Sequence, residues 1–286
     1  MDPKKLQALY GLKYNPFSLQ LPIDALHRSP RIDEFINRVS DLVATGGFAA
    51  IDGPPGGGKS VVLRLVADRL SRMRDVVVGE ITRPQSRLSD FYRELASIFG
   101  IIVSSSNRWG GYKMLREKWQ SHIESTLMRP VLLVDEAQEV PPSVLDELRL
   151  LGSTRFDSCT IVTVVIAGDQ RLAERLKTQE LAPLESRIRA RLHMTPANKD
   201  ELMDVLSHAI EAAGNPNLMT EELMSALAEH SAGNFRLLMT LANEVLELGV
   251  VKESRVLDEG LFLETSSKDR PAPMRSKNKA RRMAEA

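Results

Sequence analysis

A glycine-rich run that ends in lysine and serine occupies residues 53–60 and is followed by a valine. Its members are, in order, Gly53, Pro54, Pro55, Gly56, Gly57, Gly58, Lys59, Ser60 and Val61. The run matches GxxxxGK[ST] at every required position, between a predicted strand and a predicted helix. Glycines let backbone N–H groups curl around phosphates, and a helix N-terminus adds positive potential. Lys59 can then reach the β- and γ-phosphates and the Ser60 hydroxyl can ligate Mg²⁺, so we expect ATP with Mg²⁺ as the ligands.

Two acids follow a second apolar run, Val131–Val134. Asp135 is placed by that strand at the carboxyl edge of the sheet, where ligands of open α/β folds bind. We predict that Asp135 holds Mg²⁺, directly or through water, and that Glu136 orients and deprotonates the attacking water. An ordinary helix cap is the alternative for two such acids, but the upstream phosphate motif favours the catalytic interpretation.

Phosphoryl transfer also needs positive charge near the γ-phosphate, and two arginine-bearing segments could supply it. The first is the cluster at residues 185–191, just before the last predicted strand, and the second is Gly233-Asn-Phe-Arg236 at the start of a predicted helix. Solvated surface arginines are the alternative interpretation for both segments.

The elements around these residues change character near Pro196. Before it, short apolar runs alternate with helical patterns, which is typical of a parallel sheet with crossover helices. The predicted strands are Phe48–Ile51, Val76–Ile81, Val131–Val134, Ile161–Ile166 and Arg191–Met194. After it the pattern is helical, beginning with a capping box at Asn198 and Glu201. Three helices are predicted there, ending near Ala213, Gly233 and Leu248.

We therefore predict an α/β fold with a parallel five-stranded sheet flanked by helices in a nucleotide-binding domain at 46–196. A small all-α lid domain is expected at 197–265, after an N-terminal segment, 1–45, that leads into the core. The tail, 266–286, is basic and expected to be disordered.

Composition bounds the remaining possibilities. The 286 residues hold 38 Lys and Arg against 38 Asp and Glu, so the overall charge does not indicate a nucleic-acid binder. A single cysteine, Cys159, fits a reducing compartment. Because no run approaches the ~20 apolar residues of a membrane span, we expect a cytoplasmic protein with no membrane partner.

Several motifs in order resemble the AAA+ ATPases. Within these, the chain is similar to the ExeA-like group, which includes transposition ATPases of the TnsC and TniB kind and, more distantly, MuB. The resemblance rests on Tyr10-Gly-Leu…Asn-Pro-Phe17, on Asp135-Glu-Ala-Gln138 followed by 145–151, and on Ala167-Gly168 followed by Leu172. It covers roughly 10–249, and its motifs are specific in combination.

The resemblance implies roles for individual residues. Arg187 lies where AAA+ proteins place the arginine finger that acts on a neighbouring subunit's ATP, with Arg191 as the alternative. Arg236 matches the sensor 2 arginine, which reads the γ-phosphate from the lid. Asp169 occupies the sensor 1 position, where an amide or hydroxyl is usual. Since an acid there would repel the γ-phosphate, either its role is altered or Gln170 takes it.

The resemblance also implies a function: an ATP hydrolase that assembles with ATP into rings or filaments. In the transposition branch such assemblies surround duplex DNA and mark a target for a transposase. The basic, aromatic segment Asn107–Lys113 could contact DNA phosphates through Arg108 and Lys113, and a plain surface loop is the alternative. Arg83 is a weaker candidate, and the basic tail suits either DNA or a partner protein.

Two other functions remain open. One is a secretion-associated ATPase like ExeA itself, for which a transmembrane helix and a peptidoglycan-binding module are expected downstream. The other is an ATP-loaded assembly scaffold with little turnover. The presence of Glu136 and Arg187 argues against the scaffold, whereas Asp169 leaves it open.

Overall fold

The computed structural model describes residues 3–81, 85, 87–101, 108–154 and 159–268. The helices are α1 Pro3–Tyr10, α2 Pro30–Thr45, α3 Lys59–Ser71, α4 Leu88–Ile98, α5 Arg108–Thr126, α6 Pro142–Gly152, α7 Gln170–Leu176, α8 Ala182–Glu185, α9 Lys199–Ala213, α10 Glu221–His230, α11 Phe235–Lys252 and α12 Glu259–Lys268. The strands are β1 Gly47–Asp52, β2 Val76–Ile81, β3 Arg129–Val134, β4 Ser153–Thr154, β5 Cys159–Thr160, β6 Thr163–Gly168 and β7 Ile188–His193. Short 3₁₀ turns lie at Ile23–Ala25 and Ala137–Glu139.

The large sheet has five strands in the order β2-β3-β6-β1-β7, and every pairing is parallel. Strands β1 and β6 are buried along their whole length, as expected for central strands covered by helices on both faces. This arrangement confirms the predicted α/β fold with a parallel five-stranded sheet. Strands β4 and β5 form a separate antiparallel pair.

The last strand begins earlier than the sequence pattern predicts, at Ile188 instead of Arg191. Strand β7 is an edge strand, and it alternates exposed arginines with buried Ala190 and Leu192. An alternating strand of this kind has no continuous apolar run to mark its start. The fourth predicted strand is likewise displaced by two residues and runs from Thr163 to Gly168.

Helix α2 covers the free edge of β7. Arg31 donates to the carbonyl of His193 at 2.9 Å, and Arg38 donates to the carbonyl of Arg189 at 3.0 Å. These bonds satisfy edge carbonyls that could otherwise pair with another strand. They also fix the N-terminal part of the chain against the sheet.

Helices α9–α12, here called the helical region, enclose a second apolar core. The predicted capping box is confirmed: Asn198 and Glu201 bond each other's backbone N–H groups at the start of α9. Four N-terminal side chains are buried in this core: Leu6, Tyr10, Leu12 and Phe17. The N-terminal segment is thus packed on the helical region as well as on the sheet. Helix α12 continues to Lys268, and the rest of the basic tail lies outside the described residues.

Across the described ranges, no helix combines the length and apolar character that crossing a membrane requires.

Candidate functional site

A cavity of about 320 Å³ opens at the carboxyl edge of the sheet. Part of its lining comes from residues predicted as site residues: Pro55, Gly56, Gly57, Gly58, Lys59, Ser60, Val61, Glu136, Asp169 and Arg236. These residues come from the β1–α3 loop, the end of β3, the end of β6 and the start of α11. The structure therefore brings together most of the predicted site from distant parts of the sequence.

The β1–α3 loop curls around the N-terminus of α3. Gly56 and Gly58 have φ values of 76° and 93°, a left-handed backbone that side chains rarely tolerate. Lys59 is buried, and its ammonium group donates to the carbonyls of Gly53 and Pro54 at 3.0 and 2.9 Å. A turn of this shape, with a lysine held inside it and a helix starting at its end, suits the phosphates of a nucleotide.

The two acids lie where β3 ends. The Asp135 carboxylate accepts from the backbone N–H of Glu136 at 2.9 Å, and Asp135 is half-buried. Glu136 has φ 51°, an uncommon value for a residue with a side chain, and it lines the cavity. Strained backbone of this kind clusters at functional sites. Glu136 therefore lines the same cavity as the phosphate loop, and Asp135 immediately precedes it at the end of β3.

Asp169 caps helix α7 and is paired with an arginine. Its carboxylate accepts from the backbone N–H and the guanidinium of Arg171, each at 2.9 Å. These hydrogen bonds, with the attraction of Arg171 and Lys59, lower the pKa of Asp169 against the opposing effect of burial. The negative charge that looked repulsive in the sequence is thus compensated. Gln170 is exposed and bonds Glu174 at 3.4 Å, so Asp169 is the member of this pair that lines the cavity.

Gln138 is a residue whose place in the site was not predicted. It is 7% exposed, and its amide bonds both the Glu136 carboxylate and the backbone N–H of Asp169. The signal in the sequence is a glutamine two positions after a candidate base, inside the segment that carries the family resemblance.

The N-terminus of α11 touches the phosphate loop directly. The Asn234 amide donates to the carbonyl of Pro55 at 3.2 Å, and the backbone N–H of Arg236 donates to the carbonyl of Gly56 at 3.3 Å. Asn234 also caps α11 by accepting from the N–H of Leu237 at 3.1 Å. The helical region is therefore hydrogen-bonded to the loop that it would cover.

The other end of the cavity is apolar and was not predicted. Its lining includes Leu21, Ala25, Leu26, Ile32, Met194, Val205, Ala209 and Met239. His27 also lines it and lies edge-to-face with His208, at 5.6 Å between ring centroids. Burial lowers the pKa of His27, and His208 lowers it further. An apolar chamber next to a phosphate loop has the chemistry to hold a nucleobase.

The predicted arginine fingers are placed elsewhere. Neither Arg187 nor Arg191 is among the described residues that line the cavity. The Arg187 guanidinium donates to the carbonyl of Pro183, and Arg191 pairs with Glu185 at 2.6 Å. Within one chain, therefore, these arginines do not join the phosphate loop.

The basic, aromatic segment Asn107–Lys113 is helical from Arg108 onward, because α5 starts there, so the plain surface loop offered as the alternative is wrong for residues 108–113. Lys113 is exposed and pairs with Glu117 at 3.7 Å, a spacing of four residues that favours helix. Asn107, Arg83 and the tail after Lys268 lie outside the described residues.

The five-stranded parallel sheet, the phosphate loop after β1 and the acids after β3 match the fold of AAA+ P-loop ATPase structures. Residues 43–176 match the family model described as AAA domain. The chain is also similar to General secretion pathway protein A of Aeromonas hydrophila, with 28% identity over 256 residues. That match covers 88% of this chain and 46% of the relative, so the chain spans about half of the relative's length.

Solved structures with a similar fold include Cdc6p from Pyrobaculum aerophilum, with TM-score 0.69 and 17% identity over 85% of this chain and 67% of that one. The ADP form of the ORC2 protein of Aeropyrum pernix gives TM-score 0.72 and 14% identity over 88% and 72%. The ORC1 protein of the same organism, in complex with DNA, gives TM-score 0.64 and 18% identity. That match covers 87% of this chain and 68% of the ORC1 chain. At these identities the likeness shows the fold.

Proposed function

We propose that this chain binds ATP and hydrolyses it to ADP and phosphate. The observation that carries the proposal is a single cavity beside the β1–α3 loop. Its polar lining includes Lys59, Glu136, Asp169 and Arg236. Its apolar end is available to the base, and its polar end to the triphosphate.

Each polar group has a role that its position supports. The N–H groups of the loop and the Lys59 ammonium hold the phosphates, while Arg236 approaches the γ-phosphate from the helical region. Ser60 and Asp135 would hold Mg²⁺, which when bound neutralises charge on the β- and γ-phosphates. Glu136 accepts a proton from the water that attacks the γ-phosphorus, and ADP is the leaving group.

A further cation is proposed to come from a second copy of the chain. Arg187 lies outside its own cavity, so it can reach a γ-phosphate only across an interface between subunits. A finger supplied in this way is worth on the order of 10³–10⁵ in rate, so hydrolysis would depend on assembly into a ring or filament. Arg191, the alternative finger, pairs with Glu185 of its own chain at 2.6 Å.

Steady-state ATP hydrolysis and binding of a fluorescent ATP analogue test the site. We expect Lys59→Ala to lose nucleotide binding, and Glu136→Gln to keep binding but lose turnover and trap the assembled state. Lys177→Ala and Glu180→Gln are matched controls, since both residues are exposed and lie between α7 and α8. Turnover at the parent rate by Glu136→Gln would show that Glu136 is not the base.

The finger is tested by comparing Arg187→Ala with Arg191→Ala. We expect Arg187→Ala to bind ATP normally and to hydrolyse it poorly, with a smaller loss for Arg191→Ala. Mixing Arg187→Ala with Lys59→Ala subunits should restore part of the turnover, because the second variant still donates its own Arg187. A complete absence of rescue, with mixed oligomers present, would contradict action between subunits.

The biological use of the ATPase is proposed to be duplex-DNA binding in the ATP state, as a target-selection ATPase for a transposase. Support comes from the resemblance to transposition ATPases and from the likeness of the fold to a DNA-bound ORC1 protein. Fluorescence anisotropy with duplex DNA, in ATP, a non-hydrolysable analogue, ADP or no nucleotide, should show binding that needs the triphosphate and weakens steeply with salt.

A secretion-associated role is the second candidate, favoured by the 28% identity to General secretion pathway protein A. No DNA binding in any nucleotide state, with ATP hydrolysis intact, would move this role ahead of transposition. ATP-dependent assembly without measurable turnover would instead indicate a scaffold. The two assays together therefore separate all three functions.

A further inference from the structure

We propose that Gln138 is a positioning residue that holds the Glu136 carboxylate in the orientation needed to accept a proton from the attacking water. This inference rests on the proposed ATP hydrolysis, and it names a residue that acts on the base and not on the substrate. It starts from an unusual arrangement: a buried side-chain amide lies between a candidate base and the end of a neighbouring strand.

The amide makes two bonds of opposite polarity. Its N–H group donates to the Glu136 carboxylate, and its oxygen accepts from the backbone N–H of Asp169 at 3.1 Å. A side-chain amide carries a donor and an acceptor on the same carbon, so it can join a carboxylate to an N–H in this way. The two partners also fix which way round the amide lies, so the Glu136 carboxylate is tied to the end of β6.

Surrounding contacts keep the amide in place. Gly168 ends β6, and a Cβ at that position would lie 2.6 Å from the Gln138 oxygen, so the glycine leaves the space that the amide fills. Arg175 on α7 donates to the backbone carbonyls of Gln138 and Val140, the second at 2.7 Å. The segment that follows β3 is thus held from both its side chain and its backbone.

Such support matters because Glu136 is exposed and has a left-handed backbone, with φ 51°. An exposed glutamate has many side-chain rotamers, and few of them point its carboxylate into the cavity. A base gains rate only when it is within hydrogen-bond reach of the proton that it removes. The bond from Gln138 restricts those rotamers without contact to the nucleotide.

The test uses the full chain with Gln138→Met, which keeps length and removes both bonds, and Gln138→Glu, which keeps the acceptor and removes the donor. Gln179→Met and Gln179→Glu are matched controls at an exposed glutamine outside the cavity. We expect both Gln138 variants to lose at least about tenfold in kcat, with KM and ATP-analogue affinity within about twofold of the parent, as for a loss confined to the transition state. The Gln179 variants should match the parent.

Gly168→Ala provides a second perturbation, because its Cβ would displace the intact Gln138 amide, although it would also lie 2.7–2.8 Å from Leu172 of α7. It should reproduce the loss of kcat at unchanged nucleotide affinity, and retained affinity would show that each variant is folded. Parent-level kcat in either Gln138 variant, or a higher kcat, would overturn the inference; a higher value would mean that the bond restrains Glu136 away from water. If the parent itself does not hydrolyse ATP, the proposed function fails first and this inference falls with it.

Discussion

Adding one methyl group to the phosphate loop, in Gly56→Ala, should disturb the helical region more than the loop itself. A Cβ at Gly56 would lie 2.2 Å from the Asn234 side-chain oxygen and 2.7 Å from the rest of that amide. Asn234 must move, and it then loses its cap bond to Leu237 and its bond to Pro55. The contact couples the loop to α11 through side-chain atoms that can be altered separately.

The expected cost has three parts. The left-handed φ of 76° at Gly56 costs an alanine about 1 kcal/mol. Loss of the helix cap costs about 1 kcal/mol, and loss of the hydrogen bond to Pro55 about 1 kcal/mol more. Gly56→Ala should therefore lower the free energy of unfolding by about 3 kcal/mol, whereas Gly11→Ala should lower it by only about 1 kcal/mol. Gly11 is the matched control because its φ is 68° and no atom lies within 4 Å of its added Cβ.

A double-mutant cycle with Asn234→Gly isolates the coupling. Asn234→Gly alone removes the same two bonds, at a cost of somewhat over 1 kcal/mol, since glycine is a tolerated cap. The double variant then adds only the backbone strain, so the two changes should fall short of additivity by about 2 kcal/mol. Guanidinium unfolding of all four proteins measures this. The contact between the loop and the helical region would be refuted if the two changes in the free energy of unfolding were additive. It would also be refuted if Gly56→Ala and Gly11→Ala lowered that free energy equally.

Three further predictions concern single side chains. Burial raises the pKa of Tyr10 to about 12 and its hydroxyl has no hydrogen-bond partner among the described residues, so the parent should lose stability as pH rises from 10 towards 12. Tyr10→Phe should be at least as stable at pH 7 and should lack that alkaline loss, as urea unfolding at pH 7 and 11 would show. Asn198→Ala breaks the capping box with Glu201 and should cost about 1 kcal/mol, visible as a lower Tm. Burial and His208 lower the pKa of His27, so its contribution to stability is present above pH 6.5 and is lost as pH falls below it. In thermal melts at pH 7.5 and 5.5, the Tm of His27→Gln should therefore fall less on acidification than the Tm of the parent.

The parts of the site that sequence predicted are those in which neighbours in the chain are also neighbours in space. The phosphate loop is nine consecutive residues whose shape is set by local glycine geometry, and the acids follow directly from an apolar strand. The sequence predicted a parallel sheet but not the order of its strands, because β1 pairs with β6 and β7, which are more than a hundred residues away in the chain. The start of β7 was wrong by three residues, since an edge strand covered by arginines does not look apolar.

The apolar end of the cavity could not be predicted from local patterns. Its walls come from residues 18–32, from Met194 after β7, and from side chains of α9 and α11 that also look like ordinary core positions. Gln138 shows the same limit in a polar group. Its partner, the N–H of Asp169, is 31 residues away and becomes a neighbour only because β3 and β6 are adjacent.

The N-terminal segment connects the helical region to the cavity wall and to helix α3. Leu6 and Tyr10 of its first helix and Phe17 are buried in the core of the helical region. The backbone N–H of Lys13 also bonds the carbonyl of Ala213 there, at 2.9 Å. The next residues, 18–32, form part of the cavity wall, and Arg64 of α3 donates to the carbonyl of Leu21 at 2.6 Å. A group that fills the apolar end therefore touches the sheet domain and the helical region at once. Because α11 is also bonded to the phosphate loop, we expect displacement of either end of the cavity to reach the helical core. Under the proposed ATP-dependent assembly, this connection would let nucleotide binding change the surface that one subunit presents to its neighbour.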